Sequence, residues 1–364
     1  MSSGLGRRIY LSAASSENVL SLVLNMSQGL RCTAMNANTF IATTGNGLAR
    51  AGRDANDEWS VEFLLADQDV RCLAADPLNP AVLYAGTQGN GVLRSSDEGE
   101  SWQPAGMPGQ IVKSLAVSSH QPGTVYAGTK PAYLFVSRDS GQTWTELAGF
   151  RRIPFRWWWF SPAEKPGTAY VQAITLSPTD PNLILAGIEF GAVVRSTDGG
   201  QTWSGHRRGA LRDCHTLKFH ATNGDWAYEA GGSGGGASRS RNGGQTWHKV
   251  KAGLAKHYGV ACAADPERPE VWYVSVAPGP GKAYGELAEA YLYRAAGGED
   301  WQPIGWGPHP IPHMPIALIT DQTAPGHLYA GLTNGDVWFS ANYGDTWQKL
   351  PFNLKGIWRS LIIL

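Results

Sequence analysis

A turn that ends on tryptophan recurs along this chain and limits what it can fold into. It reads SSDEGESW (95–102), SRDSGQTW (137–144), STDGGQTW (196–203), SRNGGQTW (240–247) and SANYGDTW (340–347). Two weaker copies are GRDANDEW (52–59) and AAGGEDW (295–301), so the turn tryptophans fall at 59, 102, 144, 203, 247, 301 and 347, mostly 42 to 46 residues apart. A fixed period of this size means that one supersecondary unit is repeated, each copy burying its apolar face against the next.

The residues around each turn say what that unit is. In one repeat, VRCLAADP (70–77), VLYAGT (82–87), GVLRSS (91–96) and SWQPAG (101–106) are short β-rich runs divided by turn residues. Four strands per period, here A to D from the inside out, predict an all-β chain: a single β-propeller of four-stranded blades over 1–364. Seven complete A–D sets lie between Leu30 and about Leu350, with RRIYLSA and VLSLVL left over at the start and IWRSLIIL at the end. Eight blades are therefore expected, with Trp358–Leu364 as the inner strand of a composite eighth blade closed by the N-terminal strands. Such closure removes the free edges of a sheet. Seven blades with an N-terminal extension is the alternative.

The repeated turn belongs to the C–D hairpin. Asp198 can cap its own turn through backbone amides, Gly199 and Gly200 permit positive φ, and Trp203 packs at the start of strand D. Its carboxylate is then consumed locally, and the turn braces the blade instead of catalysing.

Composition narrows the partners. Thirty basic residues balance thirty acidic ones, so net charge predicts neither nucleic acid nor an anionic membrane as partner. Arg7 and Arg8 precede an apolar stretch broken by SSEN (15–18), and no run approaches a membrane span, so the expected location is cytoplasmic. The four cysteines form no CxxC; Cys32, Cys72, Cys214 and Cys262 all fall in A strands as packing residues. No P-loop, dinucleotide fingerprint, HExxH or serine elbow occurs, and GGSGGGAS (231–238) reads as a hairpin loop.

The SxDxGxTW turns, with LYAGT before them, resemble the Asp-box, or BNR, propellers: sialidases, oligoxyloglucan-type glycosidases, sortilin-type receptors and photosystem II assembly-factor propellers. The resemblance runs through nearly the whole chain and implies the fold, while the same turn serves hydrolases, receptors and assembly factors. Arg152-Ile153-Pro154 in FRRIPF (150–155) is similar to the arginine motif that sialidases carry near their N-terminus, but follows the third box instead of preceding the first, and their paired Tyr and Glu cannot be assigned to positions here. The arginine-rich patch of the assembly factors implies that a basic surface can serve a binding protein.

In a propeller the D–A and B–C loops share one face around the central channel. Three D–A loops, 149–167, 204–215 and 305–315, and one B–C loop, 277–290, are unusual, and the segments 149–167 and 277–290 are read as insertions on that face. Trp157, Trp158 and Trp159, beside Arg151, Arg152 and Arg156, can stack on a sugar or cover the channel mouth, although three adjacent aromatics cannot all point one way. Aligning the A strands puts Arg31, Arg71, Lys113, Gln172, His215, Val260, Ile316 and Arg359 at one equivalent position. Cations on consecutive blades would hold a carboxylate, sulfate or phosphate, unless each pairs with a neighbour such as Asp67 or Asp69.

The expected ligand contacts are thus Arg31, Arg71, Lys113, Arg359, Arg152, Arg156 and Trp157 to Trp159. The primary reading is a module binding an anionic or carbohydrate-like small molecule, or a protein partner. An enzyme is the competing class. One form is a glycosidase using Asp67, Asp69, Glu189 or Asp213. The other is a metal-dependent lyase or oxygenase with a divalent ion on His215, His257 and His313 and a carboxylate from Glu189, Asp213, Glu286 or Glu289. No other cofactor is expected.

Overall fold

The computed structural model describes residues 35 and 37–364, apart from 233 and 299. Ala37–Leu364 forms one compact unit, a ring of seven antiparallel sheets.

Blade 1 comprises β1 (Thr39–Thr43), β2 (Leu48–Arg53) and β3 (Trp59–Leu64), and its inner strand is the last of the chain, β27 (Leu361–Ile363). In blades 2 and 3 the inner strands are β4 (Val70–Asp76) and β8 (Ile111–Val117). Blade 4 has three strands, from β12 (Val171–Leu176) to β14 (Val193–Ser196), and only the isolated bridge Arg195–Ser204 at the fourth place. Blades 5, 6 and 7 begin with β15 (Cys214–Phe219), β19 (Tyr258–Ala264) and β23 (Pro315–Thr320).

The expected eight blades are corrected to seven. That count began its first complete set at Leu30 and so left the C-terminal strand to found an extra blade. Instead β27 pairs antiparallel with β1, Phe40 opposite Ile363 and Ala42 opposite Leu361, and fills the inner place of blade 1. A blade has only one inner place, and the apolar, β-branched LIIL end suits it. Trp59, Phe40 and Phe352 then pack across the joint with blade 7, the Trp59 and Phe352 ring centroids 4.6 Å apart. The N-terminal runs RRIYLSA and VLSLVL, with Arg31 and Cys32, lie outside the described residues.

All five strong turns share one hydrogen-bond pattern. In the third, the Ser196 hydroxyl donates to Asp198 (2.8 Å) and accepts from the Gly200 amide (2.8 Å), Asp198 accepts from the Thr202 amide (2.9 Å), and the Trp203 indole donates to the Gly200 carbonyl (2.9 Å). The turns at Asp97, Asp139, Asn242 and Asn342 repeat it. Hydrogen bonds from Ser101 and Thr143 hold the Asp97 and Asp139 carboxyls down at about 2, so both stay ionised and occupied. Cys72, Cys214 and Cys262 are free thiols buried along inner strands.

Candidate functional site

One backbone irregularity builds the channel mouth. Ladder register shifts between Val70 and Cys72, Val112 and Ser114, Val171 and Ala173, Cys214 and Thr216, Gly259 and Cys262, and Pro315 and Ala317. A bulge re-aims the side chain it carries. Arg71, Lys113, Gln172, His215 and Ile316 sit at five of these bulges and, with Arg359 just before β27, line a central cavity of about 290 Å³.

One half of this mouth is cationic. Glu164, from the 149–167 insertion, is gripped by Lys113 Nζ at 2.7 Å from both carboxylate oxygens, Arg359 at 3.2 Å, Lys130 at 3.3 Å and Arg71 at 3.7 Å. Arg71 also donates to Asp69 at 2.6 Å, and Arg359 to Gln172 at 3.2 Å. Burial alone would raise the Glu164 carboxyl, but the Lys113 hydrogen bond and charge, helped by Arg359, hold it down at about 2. Lys113, its side chain fully buried, is lowered to about 8, by burial first and then by repulsion from Arg359. Four cations therefore face two carboxylates, an excess of positive charge inside a neutral protein.

The opposite half is acidic. Glu189, Asp213 and His215 bring one ligand atom each within 4.8 Å of one another. The His215 Nδ1 lies 2.7 Å from the Gly259 carbonyl, so that nitrogen carries a proton and donates it, and Nε2 faces Asp213 at 3.5 Å and Glu189 at 4.0 Å. Burial lifts the Glu189 carboxyl to about 7, with Asp213 adding and His215 opposing. His215 itself is raised, because its Asp213 hydrogen bond and the Glu189 charge outweigh the burial that would lower it. The Tyr258 hydroxyl lies 3.5 Å from His215 Nε2, and burial raises the phenol well above its ordinary value, with Tyr284 from the 277–290 loop and the two carboxylates adding.

Apart from Asp69, which belongs to the cationic group through Arg71, the other sequence-derived residues lie away from these two groups. Asp67 is exposed, with positive φ and a bond from Asn46, and Asp69 serves Arg71. Exposed His257 and half-buried His313 do not join the group around His215. Glu289 pairs with Lys282. Trp157 and Trp158 are 74% and 70% exposed, whereas Trp159 packs on the core beside Phe150. Arg156 donates to the Ala132 carbonyl and lies over Tyr133, Phe150 and Trp159; Arg152 is exposed and Ile153 buried.

Sequence reasoning missed Glu164, Lys130, the tyrosines and Lys218, whose amine donates to the Leu318 carbonyl from within the channel lining. Glu164 carried a signal, being the sole carboxylate between positions 147 and 179. Lys130 and Tyr170 carried none, since strand ends with those residue types are common.

The profile of the BNR/Asp-box repeat matches residues 194–204, the third strong turn. No curated protein matches the sequence. The GH74 xyloglucanase from Xanthomonas campestris superposes with a TM-score of 0.67 at 20% identity, over 88% of this chain and 53% of its own. YCF48 from Cyanidioschyzon merolae gives 0.53 at 13% identity, over 78% and 84% of the two chains, and YCF48 bound to D1 peptide gives 0.54 at 14%, over 87% of each. The ring of blades and these matches make the chain a seven-bladed β-propeller, and the turn at 194–204 carries the BNR/Asp-box repeat, consistent with a propeller of the BNR type. It spans about half the length of the xyloglucanase.

Proposed function

We propose that this propeller is a binding module whose channel mouth takes a carboxylate-bearing ligand in the place of Glu164. The observation that carries this reading is the grip of Arg71, Lys113, Lys130 and Arg359 on one carboxylate supplied by the protein's own insertion. Charge-assisted donors already aimed at a carboxylate need no rearrangement to receive another. The surplus of cations, four against the carboxylates of Glu164 and Asp69, favours exchange of Glu164 for an anion with more than one negative charge.

A binding role suits YCF48 bound to D1 peptide as a structural neighbour, and the exposed Trp157 and Trp158 offer faces for an apolar or sugar portion of the ligand. The xyloglucanase neighbour supports the glycosidase alternative. Against it, Glu189 and Asp213 are only 5% and 2% exposed, which leaves little surface for a sugar ring.

The test is calorimetric titration with citrate as the probe, on wild type and on Arg71→Ala and Arg359→Ala. Saturable binding that weakens at least about tenfold in each variant supports the reading, since each lost charged contact removes about 1.5–3 kcal/mol. Equal affinity in all three proteins, or no binding, refutes it.

A further inference from the structure

We propose that Glu189, Asp213 and His215 form a binding site for one divalent transition-metal ion at the acidic half of the channel mouth. The three side chains come from two neighbouring blades: Glu189 directly follows β13 (Ile184–Ile188), the second strand of blade 4, and the others lie at the start of β15. Their donor atoms fall within 4.8 Å of one another, close enough for a single ion to touch all three.

Two further observations favour an ion over a cluster that satisfies itself. Glu189 is only 5% exposed, yet its carboxylate accepts no hydrogen bond from any described residue, and its one ion-pair partner among them is the His215 imidazole at 4.0 Å. A carboxylate left with a sliver of solvent contact and no protein donor is poorly compensated, and a bound cation supplies what is missing. Moreover, the Gly259 carbonyl takes the His215 Nδ1 proton at 2.7 Å, the outer-shell bond that fixes the tautomer of metal-bound histidine and leaves Nε2 to face the carboxylates.

The donor set selects the ion. One imidazole and two carboxylates suit zinc, manganese, iron or cobalt in the divalent state, whereas magnesium and calcium prefer oxygen alone. With neutral imidazole the set carries two negative charges, which a divalent ion cancels, and any Nε2 proton leaves to solvent on binding. His215 lines the central cavity, so the ion has an approach from solvent. The site shares His215 with the sequence-derived histidine set but takes carboxylates in place of His257 and His313.

The full chain, untagged and stripped with chelator, is titrated with zinc by calorimetry and with cobalt by visible absorption. The expected result is about one ion per chain, with the d–d bands of nitrogen- and oxygen-bound cobalt. Glu189→Gln, Asp213→Asn and His215→Gln should each weaken binding more than about 100-fold, since even outer-shell partners commonly cost 10- to 100-fold. His257→Ala with His313→Ala should leave it unchanged. Should the buried substitutions disrupt folding, as judged by near-ultraviolet circular dichroism, paramagnetically shifted imidazole resonances of wild type loaded with cobalt decide the matter. No stoichiometric uptake by wild type, binding indifferent to the three substitutions, or cobalt without a bound imidazole overturns the proposal.

Discussion

Replacing Glu164 by Gln keeps the shape of the side chain and removes the charge on which four cations converge. Lys113 touches both oxygens at 2.7 Å with its own side chain fully buried, while the Glu164 side chain is 20% exposed. Stranding one partner of a buried pair costs about 3–5 kcal/mol and a surface pair about 0–1, so partial exposure places this loss at about 2–3 kcal/mol. With an unfolding entropy of roughly 2 cal/mol/K per residue over Ala37–Leu364, the melting temperature falls by about 3–5 °C. Because the carboxyl is lowered to about 2 in the fold, this stabilisation is complete above its ordinary value near 4.5 and vanishes as pH drops toward 2. Differential scanning calorimetry at pH 7 and at about pH 3 reads both effects, and citrate should restore part of the loss at pH 7. A variant as stable as wild type at pH 7, or one that citrate does not rescue, refutes the view of Glu164 as an occupant of a carboxylate site.

Three further outcomes concern the cation cluster, the repeated turn and one tightly packed glycine. Lys113 faces Arg71, Lys130 and Arg359 as like charges, Glu164 as the opposite one, and the Tyr170 ring; since it titrates near 8, citrate affinity should fall several-fold as pH rises from about 7 to 9, and be weak and flat with pH in Lys113→Gln. Ser196→Ala strands the buried Gly200 amide and should cost about 1–3 kcal/mol by denaturant unfolding, with no effect on citrate affinity. Gly209→Ala puts a Cβ within 1.9 Å of the Trp247 carbonyl at a φ of +85°, and should cost more than about 3 kcal/mol in the same assay.

Legibility from sequence differed between the frame and the site. The turn hydrogen bonds are local, spanning from Ser196 to Trp203, so their residues are adjacent in the chain and show as a repeated string. The inner-strand row was legible for the same reason: Arg71, Lys113, Gln172 and His215 recur at one register, and the bulges that aim them recur with it. Ring closure was legible in part: the C-terminal segment was read as the inner strand of a composite blade, which β27 is, but its partners and the blade count were not, because β27 and β1 pair across almost the whole chain and only the geometry of the ring decides which strand takes the single inner place. Nor was the Glu164 network, which joins residues 51 and 195 positions apart through an insertion outside the repeat. Glu189 was visible as an acid in a loop, but its meeting with Asp213 and His215 depends on the packing of adjacent blades.

As proposed, Glu164 occupies the place of an external carboxylate among Arg71, Lys113, Lys130 and Arg359. The most direct test of this is the ratio of citrate affinities of Glu164→Gln and wild type, measured by calorimetry at pH 7 and low salt. Competition with the internal carboxylate predicts at least about tenfold tighter binding in the variant, since the ligand no longer displaces a charged occupant. Equal or weaker binding in the variant would contradict the account and make Glu164 part of a closed salt-bridge network.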